Sequence, residues 1–125
     1  MVSLQKRFKL TMIQSAEKKT SEKEVQKKIL KRLNDLSIFC WRNNSGVISA
    51  SYKGKKRMFQ YGLTGSADII AIVRGYFLGI EVKGPTGKQS EAQQAFERNV
   101  KYAGGYYIVA RSVEDVEKIL EIIPK

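Results

Sequence analysis

The sequence predicts an α/β fold, a single domain in which a central mixed β-sheet is flanked by helices. Three observations lead there. Apolar residues recur at helical spacing in three stretches, two strongly apolar runs sit back to back around a short turn, and the elements alternate as helix, strands, helix, strand, helix. A chain of 125 residues buries roughly two-thirds of the surface it exposes when unfolded. One core is therefore expected, and no repeat or low-complexity linker divides it.

Residues 1–20 carry five Lys or Arg without an apolar stripe and read as a basic N-terminal arm; residues 21–125 read as the folded domain. Ser21-Glu22-Lys23-Glu24 fits a capping box, with Ser21 as N-cap and Glu24 reaching back. Val25, Ile29, Leu30 and Leu33 then give the buried stripe of a first helix. Glu22 lies on that stripe, three residues before Val25, whereas Glu24 points away. Ser37–Arg42 reads as a strand ending in the turn Asn43-Asn44-Ser45-Gly46. Val47–Tyr52 and Arg57–Tyr61 read as a hairpin around a strongly basic tip, Lys53-Gly54-Lys55-Lys56. Trp41, Tyr52 and Phe59 are expected in the core, with base-stacking platforms as the alternative use of the same rings.

A glycine-punctuated loop leads into Ala67–Val73, whose apolar content implies a strand covered on both faces. Arg74-Gly75 turns the chain, and Tyr76–Lys83 returns as its partner. The loop Gly84–Lys88 precedes a helix from Ser90 that stops at Gly104-Gly105. Tyr106–Ala110 is a short buried strand. Ser112 caps a last helix with Asp115 at its third position, its inward face being Val113, Val116, Ile119 and Leu120.

Composition removes several chemistries. With no His and one Cys, Cys40, there is no histidine base, no Ser-His-Asp triad and no zinc site of Cys and His. Hydrolysis would have to run on carboxylates, lysine and a hard cation such as Mg²⁺ or Mn²⁺, with no small-molecule cofactor. One cysteine makes no internal disulfide and no apolar signal core follows Met1, so a reducing cytoplasmic location is expected. No apolar run approaches the ~20 residues of a membrane span. Residues 1–60 hold 15 Lys/Arg against 4 Asp/Glu, and residues 61–125 hold 8 and 8, so the whole net charge of +11 lies in the first half. Such a basic half suits a polyanion, most simply nucleic acid, although it would also make a merely soluble surface.

If Arg74-Gly75 is a two-residue hairpin turn, Asp68 falls opposite Glu81 on the same face, with Cβ atoms ~5 Å apart. The strand period brings Lys83 to that face as well. Two carboxylates this close repel, and a divalent cation would resolve the conflict. Asp68, Glu81 and a nearby backbone carbonyl, that of Val82, could hold Mg²⁺. Lys83 could orient or deprotonate a water and stabilise developing charge. A strand-end salt bridge of Lys83 with either acid would use the same residues.

At this point the chain resembles the VRR-NUC (virus-type replication-repair nuclease) domain family of the PD-(D/E)XK nuclease superfamily, with its restriction-endonuclease-like core. The resemblance rests on six stretches in order: Glu22-Lys23-Glu24-Val25-Gln26, Trp41-Arg42-Asn43-Asn44-Ser45-Gly46, Gly65-Ser66-Ala67-Asp68, Ile80-Glu81-Val82-Lys83, Gly87-Lys88-Gln89-Ser90-Glu91-Ala92-Gln93, and Ala110-Arg111-Ser112-Val113-Glu114-Asp115-Val116. It implies metal binding by Asp68, Glu81 and Glu22, with Lys83 as the catalytic lysine. Gln93 is the matching glutamine, within reach of Lys83 or a phosphate. Glu22 would equally serve as a first-turn acid favouring the helix dipole, and Gln93 as a solvent-facing helix residue. Two positions depart from the family pattern: Ala67 replaces a usual proline and Gln89 a usual leucine. Arg42, Asn43 and Asn44 could grip phosphates or serve as ordinary turn chemistry. Lys53, Lys55, Lys56, Arg57 and, in the glycine-lysine loop, Lys88 are candidates for backbone contacts with nucleic acid.

The resemblance implies a Mg²⁺- or Mn²⁺-dependent endonuclease that hydrolyses DNA phosphodiester bonds to leave 5′-phosphate ends. Stand-alone members look like resolvases of four-way (Holliday) junctions, and symmetric cutting by so short a chain would need a homodimer. The rival readings are a non-catalytic basic nucleic-acid-binding module and a basic structural subunit.

Overall fold

The computed structural model describes residues 22–125; the expected arm and the cap Ser21 lie outside the described residues. Helix α1 spans 22–35. Its stripe is buried as the spacing requires, with Ile29 and Leu33 fully enclosed and Val25 and Leu30 packed beside them. Ser37 ends it in the left-handed region at φ 58°, and the Ile38 N–H returns to the Leu33 carbonyl. This turn is why β1 begins at Phe39 instead of Ser37 and runs Phe39–Arg42.

The remaining elements are β2 (Gly46–Tyr52), β3 (Lys55–Tyr61), β4 (Ile69–Val73), β5 (Tyr76–Val82), α2 (Glu91–Tyr102), β6 (Tyr106–Ala110) and α3 (Val113–Ile122). The main sheet has the order β1-β4-β5-β6, antiparallel except for the parallel pair β5–β6. It is a mixed sheet between helices, as expected. Ile69, Ala71 and Val73 of β4 and Leu78, Ile80 and Val82 of β5 pack against α1 and α3, through Ile29, Leu33 and Val116. Ala67, Ile70 and Tyr107 face the other way, towards Val100 and Phe96 of α2.

Arg74 and Gly75 both have positive φ, 50° and 87°, as a two-residue type I′ turn demands. The register follows, with Val73 against Tyr76 and Ile69 against Ile80. The Arg74 guanidinium also donates to the carbonyls of Leu120, Ile123 and Pro124, tying this turn to the end of α3.

β2 and β3 form a separate two-stranded ribbon. The turn is only Lys53-Gly54, both with positive φ, so Lys55 and Lys56 belong to β3 and the tip is tighter than four residues. Every ribbon residue except Gly46 is exposed. This overturns the core assignment of three aromatics: Tyr52 is 74% exposed, Phe59 53% and Trp41 42%. Alternating apolar residues predict one covered face, and among the described residues no layer covers it. Among the described residues no helix is long and apolar enough to cross a membrane.

Gly65 fixes the loop that delivers β4. Its φ is +82°, and a Cβ there would lie 2.4 Å from the Ala92 carbonyl carbon and oxygen at the start of α2. Gly65→Ala therefore meets both a backbone penalty and a backbone clash. We expect it to lower unfolding free energy by at least about 2 kcal/mol in urea titration; an unchanged midpoint would show that the loop does not need this close approach.

Candidate active site

Asp68 immediately precedes β4, and its position is set from both sides. Its carbonyl accepts the Asn43 N–H at 2.8 Å, extending the β1–β4 ladder by one step. Its Oδ2 accepts the Val82 N–H at 2.8 Å, so a side chain takes over where the backbone pairing of β4 and β5 ends. Continuing the β4–β5 register by one pair sets Asp68 opposite Glu81.

Glu81 is 3% exposed, the one buried charged residue among those described. Its Oε1 accepts from Gln93 Nε2 at 3.0 Å, while its Oε2 is buried without a partner. Burial, then the charge of Asp68 and the hydrogen bond to it that only a protonated Glu81 can make, push the Glu81 carboxyl up to about 8; the Lys83 ammonium pulls it down and Glu22 adds to the rise. Protonated, Glu81 can donate to Asp68, and ionised it leaves an oxygen orphaned. Lys83 is half-buried and its backbone N–H donates to the Ala110 carbonyl. The expected trio of Asp68, Glu81 and Lys83 is thus brought to one end of the β4–β5 hairpin.

Gln93 is held twice. Ser90 caps α2 through a hydrogen bond from the Gln93 N–H, and the Gln93 side chain accepts the Ser90 N–H in return. Its amide nitrogen is left to face Glu81, so its partner is that carboxylate instead of Lys83 or solvent. The serine-x-x-glutamine pattern carried this capping signal in the sequence, but it was not read there. Gln89, at the unusual position before it, donates to Glu97 and to the Tyr107 hydroxyl. It thereby braces α2 against β6.

Glu22 takes a different place from Glu81. Its Oε1 accepts the Gly84 N–H at 2.7 Å, and Arg111 donates to the carbonyls of Gly84 and Gly87. The loop behind Lys83 is therefore clamped from two sides. Arg111 is a positioning residue that reading by type had passed over. Glu22 and Asp68 nevertheless line one cleft, of about 550 Å³, together with Glu24, Val82, Lys23, Lys27 and Arg42. Glu24 was expected to face away from the site but borders it. Asn43 spends its side-chain amide on Ser66 Oγ at 2.8 Å and the Ala67 carbonyl at 3.0 Å, holding the loop before Asp68. Asn44, Lys88 and the cations Lys53, Lys55, Lys56 and Arg57 are exposed, with the last four on or beside the ribbon turn.

Among the described residues no group of three or more Asp, Glu, Cys or His side chains is arranged to hold a metal ion. Glu22, turned to Gly84, does not complete such a set. The pair itself fits a hard cation: two carboxylates face one another, and one of their oxygens is buried without a partner.

An α/β sheet that presents an acidic pair and a lysine at the end of its central hairpin has oxygen donors that suit a hard cation, with an ammonium beside them. No protein-family model matches the chain, nor does any curated protein. Its fold is similar to that of a solved VRR_NUC domain, with a TM-score of 0.57 and 24% sequence identity over 83% of this chain and 98% of that one. The chain has the fold of that domain.

The raised carboxyl gives a pH dependence whose sign is set. Between the ordinary Glu value of 4.5 and about 8, the native state holds a proton that the unfolded chain has released. The stabilisation is complete below the unfolded value and is lost as pH rises through the folded one. Metal-free protein should melt progressively lower from pH 5 towards pH 9, and Glu81→Gln should flatten that slope and melt higher than the parent at the alkaline end. Parallel profiles for the two proteins would remove Glu81 as the source.

Proposed function

We propose that the protein is a VRR-NUC-type endonuclease, dependent on Mg²⁺ or Mn²⁺, that hydrolyses DNA phosphodiester bonds and leaves 5′-phosphate ends. The observation that carries this reading is the Asp68–Glu81 pair with Lys83, beside a cleft rimmed by Lys23, Lys27 and Arg42. An ion held by Asp68 and Glu81, with the Val82 carbonyl as a further oxygen donor and Glu22 at the cleft wall, would polarise a phosphoryl oxygen and acidify an attacking water. Lys83 orients that water or takes its proton, and its ammonium form balances charge developing at phosphorus. Gln93 positions Glu81. Arg42, with the exposed amide of Asn44 and the ammonium of Lys88, holds the sugar-phosphate backbone, while Asn43 stiffens the loop that carries Asp68.

The substrate is branched DNA, four-way junctions above all, and the working unit is a homodimer in the cytoplasm. Paired symmetric cuts need two such sites related by a two-fold axis, and the single cysteine requires no oxidising compartment. A second reading, a basic nucleic-acid-binding module without turnover, is favoured by the lack of a third acidic ligand within the described residues.

Cleavage of four-way, flap and linear DNA with Mg²⁺ or Mn²⁺ tests the first reading. Four-way DNA should be cut fastest, and Lys83→Ala and Asp68→Ala should each lower the rate at least ~100-fold. Equal residual cutting by Lys83→Ala would take the lysine out of the mechanism. Salt-sensitive binding with no turnover in either metal, and no rise in melting temperature on adding Mn²⁺, would favour the binding module.

A further inference from the structure

The β2–β3 ribbon is not used by the chemistry above, and its aromatic side chains all fall on one face. The register pairs Gly46 with Tyr61, Ile48 with Phe59, Ala50 with Arg57 and Tyr52 with Lys55. Directly opposed residues share a face. One side of the ribbon therefore carries Ile48, Tyr52, Phe59 and Tyr61 interleaved with Lys55 and Arg57, while Val47, Ser49, Ser51, Lys56, Met58 and Gln60, with no aromatic ring among them, fall on the other. Tyr61 lies over Gly46, where an added Cβ would come within 2.7 Å of its hydroxyl oxygen. The Lys53 ammonium stands 5.5 Å from the centre of the Tyr52 ring. The aromatic rings are solvent-exposed.

Charge decides what such a face suits. From residue 36 to residue 67 the chain has no Asp or Glu, against Arg42, Lys53, Lys55, Lys56 and Arg57. A second ribbon laid against this one would bring cations to cations with no acid between them, which opposes self-pairing. A nucleic-acid strand offers the complement, phosphates for the cations and flat bases for the rings. Duplex DNA hides its base faces inside the stack, so only unpaired nucleotides can use the aromatic half.

We propose that this ribbon face binds an unpaired stretch of DNA, with bases stacking on Tyr52 and Phe59 and the adjoining phosphates paired with Lys55 and Arg57. The inference rests on the DNA reading above and adds a feature that a fully paired junction presents only where an arm opens or ends: exposed, unpaired bases. A ribbon standing clear of the main sheet can reach such a strand while Asp68 and Glu81 attend to the phosphodiester elsewhere.

Binding of the full chain, measured by fluorescence anisotropy without divalent metal, tests this independently of cleavage. The probes are an oligothymidylate and an abasic strand of equal length, which has the same phosphates but no bases. The parent should bind the oligothymidylate ~10-fold more tightly or better, the effect of about one stacked base. Tyr52→Ala with Phe59→Ala should erase that preference, and Tyr52→Phe with Phe59→Tyr should keep it. Lys55→Ala with Arg57→Ala should weaken both probes alike and flatten the salt dependence. Equal affinity of the parent for the two probes would overturn the proposal, and so would a preference that survives the double alanine variant. A change of sedimenting species in that variant with the preference intact would make the ribbon a subunit interface instead. A chain that shows the base preference but never cuts DNA would leave the ribbon assignment standing and sink the nuclease reading, so the two failures are separate.

Discussion

The arrangement of this protein turns on one electrostatic conflict, the opposition of Asp68 and Glu81 at the end of a buried hairpin. Two unit charges about 5 Å apart repel by about 3 kcal/mol at an effective dielectric of 20. Burial of Glu81 adds a desolvation cost to that repulsion. Against this stand two hydrogen bonds, Gln93 on Glu81 and the Val82 amide on Asp68, each with a charged acceptor and worth about 1.5–3 kcal/mol. They do not quiet both acids and fill the orphaned Oε2 as well. Something positive must share the pair, a proton when the site is alone and, in the proposed nuclease, a cation, with Lys83 moderating the conflict without ending it.

The rest of the domain serves to keep that conflict in place. The type I′ turn at Arg74-Gly75 sets the register of the central hairpin, and a slip of one residue would send Glu81 to the opposite face. Gly65 lets the loop before Asp68 press on the start of α2, from which Gln93 reaches Glu81. Glu22 and Arg111 hold the Gly84–Gly87 loop by its backbone, so Lys83 stands between a strand and a clamped turn. Every member of the trio is thus carried on regular structure or tied to it, which is what a preorganised site requires.

Much of this was legible in the residues. Two-residue turns, serine caps and apolar periodicity are local signals, and they gave the layer order, the hairpin register and the start of α2 at Ser90. Four things were not legible, for physical reasons. Whether Tyr52 and Phe59 are covered depends on a neighbouring layer, and alternation within a strand cannot reveal its absence. The partner of Gln93 depends on the approach of α2 to β5 across the sheet face. The grip of Arg111 on Gly84 and Gly87 spans more than twenty residues and follows from the parallel pairing of β5 with β6. The direction of Glu22 is set by a backbone amide 62 residues away, so helix-face geometry located the residue without giving its contact.

The chain sets a stretch free of Asp and Glu, residues 36–67, apart from the acidic pair of Asp68 and Glu81, and this contrast is itself an argument about substrate. A basic protein that only coats a polyanion gains nothing from an acidic pair set partly into the fold, which would repel phosphate. A protein that binds only a cation has no use for a ribbon free of acidic residues. Both features become consistent when the partner is a polyanion that must be drawn in by one surface and met by a cation at another point. Apart from the ribbon, Lys23, Lys27 and Arg42 share one cleft with Glu22, Glu24 and Asp68, so cations and acids also meet within a single opening. There the lysines and the arginine could offset the repulsion of a phosphate backbone from the acids, and a cation bound as proposed would reverse it.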